Sequence, residues 1–146
     1  MLFRSGNAVS FPDGLRHGVA AQGKAPNHMH VQILRSKLHR AILTGCELEY
    51  EGSLSIDLDL MDAVGIFPYE KILVVNQTNG ERLETYAIPG ARGSREFCLN
   101  GAAARRGNPG DMITVMAFGA VPVAEAAAVK PTIVILDRDN RIRERK

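Results

Sequence analysis

The chain has 146 residues, 45% hydrophobic and 23% charged, which is the size and composition of one ordinary globular domain. Residues 1–30 carry a net charge of +2 and the other 116 residues are neutral, and only 5% of the chain is aromatic. This charge distribution disfavours nucleic-acid binding. No apolar run approaches the roughly 20 residues that span a bilayer, so no membrane segment is predicted.

Residues 1–28 differ from the rest of the chain because they are rich in glycine and proline and show little apolar periodicity. We predict a flexible N-terminal extension over 1–28 and one domain over 29–146. Three of the four histidines lie at His17, His28 and His30. These histidines could belong to a metal-binding tail or to a mobile extension, but His28 and His30 alone supply too few ligands, so no metal is predicted.

From Val31 onward the chain predicts short strands and brief helices. Short apolar runs and one period-two alternation predict three strands, over 31–34, 41–43 and 54–60. Asp59 is then predicted to cap a brief helix over 60–64, which Gly65 ends.

The clearest local signal is a β-hairpin, because Asn79-Gly80 is a hairpin turn signature between two strand-like runs. The strands of this hairpin are predicted over 71–77 and 81–88, and Pro89-Gly90 is predicted to end the second. Further predictions are strands over 95–99, 112–118 and 132–136, short helices over 102–106 and 123–129, a turn over 107–111 and a frayed charged tail over 138–146. This pattern predicts a mainly β fold, a small barrel or sandwich with short helices.

The two cysteines, Cys46 and Cys98, are 52 positions apart, and neither belongs to a CxxC pair, so no zinc site is predicted. One disulfide is possible by count, but two buried thiols in a reducing compartment is the preferred interpretation. The N-terminus shows no apolar run with a cleavage site typical of a secretory signal. These features predict a cytoplasmic protein.

Common catalytic motifs are missing from the sequence: GxGxxG, GxxxxGK[ST] and GxSxG do not occur. Glu47, Glu49 and Glu51 would share one face of an extended segment, which is typical of a solvated edge. Gly52-Ser53 is of more interest, because glycine gives the peptide bond conformational freedom and the serine hydroxyl can attack the preceding carbonyl. The resulting ester could eliminate and break the chain, although Gly-Ser alone is a common loop dipeptide.

Several motifs occur in an order that resembles the pyruvoyl-dependent L-aspartate 1-decarboxylase family. They span residues 29 to about 136, and the 28-residue extension is the main departure from the family pattern. The motifs are Lys37-Leu38-His39-Arg40, Tyr50-Glu51-Gly52-Ser53, Asn76, Thr78-Asn79-Gly80, Arg82, Thr85-Tyr86-Ala87-Ile88, Arg92-Gly93-Ser94-Arg95, Asn100-Gly101-Ala102-Ala103-Ala104 and Gly110-Asp111.

The resemblance implies a double-psi β-barrel that assembles as a homotetramer. It implies a zymogen that cleaves itself between Gly52 and Ser53 into chains 1–52 and 53–146, with or without a maturation protein. The covalent cofactor would be a pyruvoyl group made from Ser53. The implied reaction converts L-aspartate into β-alanine and carbon dioxide through a Schiff base, in pantothenate biosynthesis.

The resemblance also implies roles for individual residues. Arg82 and Lys37 would bind the substrate carboxylates, and Tyr86 would protonate the carbon that loses carbon dioxide. Thr85 and Asn100 would assist self-cleavage, with Thr85 donating to the Gly52 carbonyl.

Backbone amides at Ala102 and Ala103 could contact the substrate, because small side chains permit close approach. In a regular strand Arg82 and Tyr86 share one face and Thr85 faces the other side. Either a bulge occurs there, or the groups for cleavage and for substrate binding approach from different sides.

A second interpretation is a non-catalytic small β-barrel that binds protein or small ligands, since such barrels serve many functions. Ser53 together with Arg82, Thr85 and Tyr86 favours the enzyme, because a binding module has no need of that combination.

Overall fold

The computed structural model describes residues 28–146, so apart from His28 the predicted extension lies outside the described residues. The division into an extension and a domain therefore stays a prediction. The described chain forms β1 (His30–Ile42), β2 (Gly45–Glu47), β3 (Ser53–Asp57), β4 (Lys71–Asn76), β5 (Arg82–Gly90), β6 (Phe97–Asn100), β7 (Met112–Pro122), β8 (Thr132–Leu136) and β9 (Ile142–Arg145). It also forms the helices α1 (Leu58–Val64) and α2 (Val123–Ala126) and a 3-10 helix (Gly101–Arg106).

The strands form one sheet in the order β2-β6-β3-β5-β4-β7-β1-β8-β9. Three neighbouring pairs are parallel, namely β2 with β6, β3 with β5, and β1 with β8. Asn140, between β8 and β9 at one end of this order, donates through Nδ2 to the carbonyls of Ile42 in β1 and of Arg95, just before β6 near the other end, at 2.9 and 3.0 Å. The predicted mainly β fold, a small barrel with short helices, is confirmed.

One apolar core fills the inside of the barrel. Leu38, Val74 and Val115, from three neighbouring strands, have no exposed surface, and Phe97 is the largest fully buried side chain. Full burial of a side chain of this kind contributes about 1.5–3 kcal/mol. Because strand side chains alternate, the residues between these core positions face outward, and that outer face carries the candidate site.

Residues 31–42 lie in one strand, β1, where the sequence predicted two separate short strands over 31–34 and 41–43. Lys37 pairs with Met116 on the outer face, while the intervening Ser36 and Leu38 are fully buried. The Lys37 side chain thus lies on the outer face of a continuous strand, whereas the buried Ser36 hydroxyl donates to Val64 O at 2.6 Å. The register shifts between Leu38 and Ala41, where Arg40 has a φ of +65°.

Helix α1 begins two residues earlier than predicted. The Asp57 side chain, not that of Asp59, is the N-cap, because its carboxylate accepts from Asp59 N at 2.9 Å. The predicted end is confirmed, since Gly65 is the C-cap with a φ of +73°.

The predicted hairpin is confirmed, and Gly80 takes a φ of +79° at its turn. The predicted end of its second strand is wrong, because Pro89 and Gly90 pair with Ile56 and Asp57 of the parallel strand β3. Proline lacks an N–H donor but suits an extended backbone and still offers its carbonyl to a neighbour.

Residues 138–146 were predicted to fray, and this is wrong. Strand β9 pairs with β8, and Lys146 N donates to Ile133 O at 2.8 Å. Strand β6 begins at Phe97, and the segment predicted as a helix over 102–106 is the 3-10 helix. Helix α2 is shorter than predicted, and the predicted strand 132–136 is confirmed.

Candidate active site

Ser53 is the first residue of β3 and directly follows Gly52. Its side chain is held in place although it stands at the end of a loop, and the residue is only 1% exposed. The Oγ atom accepts a hydrogen bond from Asn100 Nδ2 at 2.9 Å and donates to the Glu51 carbonyl at 3.4 Å. A buried hydroxyl with one donor and one acceptor has a fixed orientation beside the Gly52–Ser53 peptide bond.

Asn100 stands opposite Ser53 in the antiparallel pairing of β6 with β3. It is the N-cap residue of the 3-10 helix, yet its side chain makes no capping hydrogen bond. The side-chain amide instead donates to Ser53 Oγ and to Ser55 Oγ, both at 2.9 Å, and accepts from Cys98 Sγ at 3.4 Å. The structure therefore brings the predicted pair of Ser53 and Asn100 together.

Gly101 packs directly against the loop that precedes Ser53. Its φ is +65°, and a Cβ atom there would lie 2.8 Å from both Cα and N of Gly52 and 2.9 Å from Tyr50 O. These neighbours are backbone atoms and cannot rotate away. A Cβ atom at Gly52, in contrast, would meet nothing within 4 Å, so a side chain at position 52 would not collide with its surroundings. The close approach at the predicted cleavage bond thus depends on the glycine at 101.

Arg82 and Tyr86 lie on the outer face of β5, as predicted. Leu54 pairs with Ala87, and both are fully buried, so Ser53 stands level with Tyr86 and also turns away from the core. The Tyr86 ring contacts that of Tyr69, with 6.3 Å between the ring centroids. Arg82 is exposed and forms no ion pair among residues 28–146. Its guanidinium is therefore available for a ligand.

Thr85 lies on the core side of β5. The pairing of β4 with β5 runs without a register shift from Arg82 to Tyr86, so the strand has no bulge there. Of the two possibilities that the sequence left open, the structure has the one in which Thr85 faces away from Arg82 and Tyr86. No hydrogen bond joins the Thr85 side chain to Gly52 among the described residues. Ser53 lies opposite Tyr86 across the parallel pair of β3 and β5. Thr85, one residue earlier in β5, therefore lies opposite Gly52.

Lys37 is not brought to Ser53 within one chain. In sheet order β7, β4 and β5 separate its strand, β1, from β3. Neighbouring strands lie about 4.8 Å apart, so this separation exceeds the reach of one lysine side chain. Of the two alanines predicted to contact substrate, Ala102 is exposed and Ala103 is 9% exposed, at the margin of the core.

Three residues of this site were given no role in it by the sequence-based predictions: Ser55, Cys98 and Gly101. Ser55 follows Ser53 by two positions and Cys98 precedes Asn100 by two, so strand periodicity places each on the same face as its partner. The two-residue spacing can be seen in the sequence, but the pairing of β3 with β6, which brings the two faces together, cannot.

Burial is the largest influence on the pKa of two groups, the Cys98 thiol at the site and the His39 imidazole on β1. It raises the pKa of the Cys98 thiol, and nearby Glu96 adds to the effect. Burial also lowers the pKa of His39, as do the charges of Lys37 and Arg40. The His39 ring nitrogen Nδ1 lies 3.0 Å from Thr114 Oγ1.

Within residues 28–146 no group of three or more His, Cys, Asp or Glu side chains could hold a metal ion. None of the helices in this part of the chain is long and apolar enough to cross a membrane.

Fold and site together define a small mainly β protein in which a buried serine hydroxyl, held by an asparagine, stands beside a glycine–serine peptide bond. A family model described as Aspartate decarboxylase matches residues 29–143, and the chain belongs to this family. The resemblance deduced from the ordered motifs is thereby confirmed.

Curated relatives agree with the family model. The chain is 53% identical over 117 residues to a protein of Chlorobium chlorochromatii named Aspartate 1-decarboxylase, covering 80% of this chain and 91% of the relative. It is 54% identical over 114 residues to the protein of that name from Thioalkalivibrio sulfidiphilus, covering 78% and 90%. For the protein of that name from Halorhodospira halophila the identity is 52% over 118 residues, covering 81% and 94%.

Proposed function

We propose that this chain cleaves itself between Gly52 and Ser53 and then decarboxylates L-aspartate to β-alanine, which is used in pantothenate biosynthesis. The proposal is carried by one observation: the Ser53 hydroxyl is buried and held by Asn100, directly after a glycine against which Gly101 packs. The names of the relatives supply the substrate and the reaction.

Self-cleavage can be written with the groups that this site contains. Ser53 Oγ adds to the Gly52 carbonyl carbon, the Gly52–Ser53 C–N bond breaks, and the nitrogen takes the hydroxyl proton, leaving an ester. Loss of the Ser53 Cα proton and cleavage of the Cβ–Oγ bond release Gly52 as a carboxylic acid. Water then replaces the nitrogen of residue 53, and one ammonia is released. Thr85, level with Gly52, is the proposed donor to the carbonyl oxygen.

The residues around Ser53 fit the pyruvoyl group that this chemistry would leave at position 53. That group would supply an electron sink for the bond that breaks as carbon dioxide leaves. Arg82 would bind the side-chain carboxylate of aspartate, because its free planar guanidinium matches a carboxylate through two hydrogen bonds. Tyr86 stands level with residue 53, and its phenol hydroxyl is the proposed donor of the proton to the carbon that loses carbon dioxide.

Lys37 would reach the substrate from a neighbouring copy of the chain. Its own β1 is too far from β3, so the proposed contact with a carboxylate requires an assembly in which β1 of one copy lies against β5 of another. This geometry supports the homotetramer that the family resemblance implies. The exposed position of Ala102 fits a backbone contact to substrate, and Ala103 would act through its backbone alone.

Both thiols of the chain are free, which supports a reducing compartment such as the cytoplasm. A maturation protein would act on the rate of self-cleavage, because every group that the chemistry requires belongs to the chain.

Intact mass spectrometry of the denatured protein tests the proposal. The wild-type chain should give two fragments that meet between Gly52 and Ser53, the C-terminal one lighter by one ammonia than a chain starting with serine. Ser53→Ala should remain one uncleaved and inactive species, because no hydroxyl is available to attack. Ser94→Ala, which removes an exposed loop hydroxyl, is the control and should be cleaved normally. Cleavage of Ser53→Ala at the same bond would refute the mechanism.

A further inference from the structure

We propose that Cys98 and Ser55 are positioning residues for self-cleavage, which together fix the rotation of the Asn100 amide so that it donates to Ser53 Oγ. This inference rests on the proposed self-cleavage at Gly52–Ser53 and adds two residues to the machinery that performs it. Neither residue touches the bond that breaks, so both act through Asn100.

The four side chains form a two-by-two array on the outer face of β3 and β6. Ser53 pairs with Asn100, and Ser55 pairs with Cys98 in the adjacent row. Because strand side chains repeat every two residues, all four point to the same side of the sheet. The contact of Cys98 with Asn100 and the contact of Ser55 with Asn100 therefore follow from the same pairing that brings Asn100 to Ser53.

Both N–H groups and the oxygen of the Asn100 side-chain amide have hydrogen-bond partners. One Nδ2 hydrogen goes to Ser53 Oγ and the other to Ser55 Oγ, each at 2.9 Å, and Oδ1 accepts from Cys98 Sγ at 3.4 Å. Asn100 is 3% exposed, so water does not compete for these positions. Rotating the amide by half a turn would direct its N–H groups at sulfur, which is a weak acceptor. The thiol thus selects the orientation that serves Ser53.

The space for the thiol is provided by the neighbouring strand. Cys98 is 6% exposed and pairs with Gly45 of β2, and a Cβ at position 45 would lie 3.2 Å from Cys98 Sγ. A side chain at 45 would therefore crowd the sulfur. Burial raises the pKa of this thiol, so it carries its proton at neutral pH and can act as a donor.

This arrangement belongs to the precursor and not to the mature enzyme. In the cleavage chemistry above, Ser53 Oγ leaves as an oxygen of the Gly52 carboxylic acid, so the hydrogen bond from Asn100 to that atom no longer exists on residue 53. Loss of Cys98 or Ser55 should accordingly slow cleavage and leave turnover per cleaved chain unchanged. A residue that merely supports the fold would not separate these two quantities.

The test compares cleavage rates of freshly purified precursors by intact mass spectrometry over time. Cys98→Ala should be cleaved about tenfold more slowly than wild type, which is the effect of losing one buried hydrogen bond to the amide. Cys98→Ser should return to within about threefold of wild type, because it keeps a donor that can reach the amide oxygen. Ser55→Ala should be slowed like Cys98→Ala, since one Nδ2 hydrogen loses its acceptor.

Cys46→Ala is the matched control. The Cys46 thiol likewise donates a hydrogen bond, to Gly107 O at 3.4 Å, but it forms no hydrogen bond with Asn100. Its cleavage rate should equal that of wild type. In all variants, decarboxylation measured per cleaved chain should equal the wild-type value.

The outcomes separate this inference from the function on which it depends. An uncleaved wild-type chain would refute the proposed self-cleavage itself. A wild-type chain that is cleaved, with Cys98→Ala cleaved at the same rate, would overturn the role of Cys98 alone. If Cys98→Ala does not fold, the cleavage rate of Ser55→Ala is the test. A Ser55→Ala precursor that is cleaved at the wild-type rate would overturn the proposal.

Discussion

Gly101 meets two requirements that other residues fail. Its φ of +65° strains any L side chain, and a Cβ atom would collide at 2.8 Å with Gly52 Cα and N. Gly101→Ala must therefore push the segment 50–52 away from the start of the 3-10 helix. We expect cleavage at least about tenfold slower than wild type, because misplacing a reacting group by less than 1 Å removes much of the benefit of its orientation. Time-resolved intact mass spectrometry measures the rate.

Gly93→Ala is the matched control for backbone strain. Gly93 has a similar φ of +76°, but a Cβ there would meet nothing within 4 Å. Both variants lose about 1–2 kcal/mol to the left-handed conformation, and only Gly101→Ala adds the collision. Equal cleavage rates for the two variants would show that the contact with Gly52 does not matter.

Single residues of the site differ in how well the sequence predicts them. Gly52-Ser53 was singled out because the dipeptide itself carries a chemistry, whereas the roles of Arg82 and Tyr86 came from the family resemblance, which their four-residue spacing in one strand supports. Ser55 and Cys98 were not, because their contact depends on β3 pairing with β6 across more than 40 residues of chain. A register of that kind is set by tertiary packing and has no local signal.

Asn140 shows how one side chain can join separate elements. It is 3% exposed, and its amide bonds to both backbone groups of Ile42 and to the carbonyl of Arg95. Asn140→Gly keeps the φ of +57° available while removing these three hydrogen bonds. We expect a loss of about 2–4 kcal/mol in the free energy of unfolding, since buried backbone groups are left without partners. Urea unfolding in a Ser53→Ala background, at one protein concentration, gives this value.

Asn108→Gly is the control for the change from asparagine to glycine in a loop. Asn108 is exposed, and its side chain forms no hydrogen bond with the described residues. We expect a loss below about 1 kcal/mol for this variant, mostly from added freedom of the unfolded chain. If the two variants unfolded at the same urea concentration, Asn140 would not be the link that we describe.

Among the elements, local patterns succeeded where the cause was local. The Asn79-Gly80 turn and the Gly65 helix end depend on a few neighbouring residues, and both were predicted. Strand β9 was predicted as a frayed tail because its alternating charges resemble a solvated segment. It is ordered by pairing with β8, and the exposed charged side chains are those of an edge strand.

At the scale of the whole molecule, sheet order and not sequence distance decides which predicted residues meet. Lys37 and Ser53 are 16 positions apart, yet three strands lie between them. Asn100 is 47 positions from Ser53 and is its direct neighbour. The family resemblance gave all three residues roles in one site, but one chain brings together only two of them. The third residue, Lys37, can act in the proposed chemistry only if copies of the chain assemble.

Mixed assemblies test that consequence. Lys37→Ala and Arg82→Ala should each be cleaved, as checked by intact mass spectrometry, and each should have little decarboxylase activity alone, because one carboxylate of aspartate loses its cation. If Lys37 acts across an interface, co-expression places an intact Lys37 from one variant beside an intact Arg82 from the other. Random mixing then restores about one quarter of wild-type activity. If both residues served one site within a chain, every site in the mixture would lack one of them, and activity would stay at the level of the single variants.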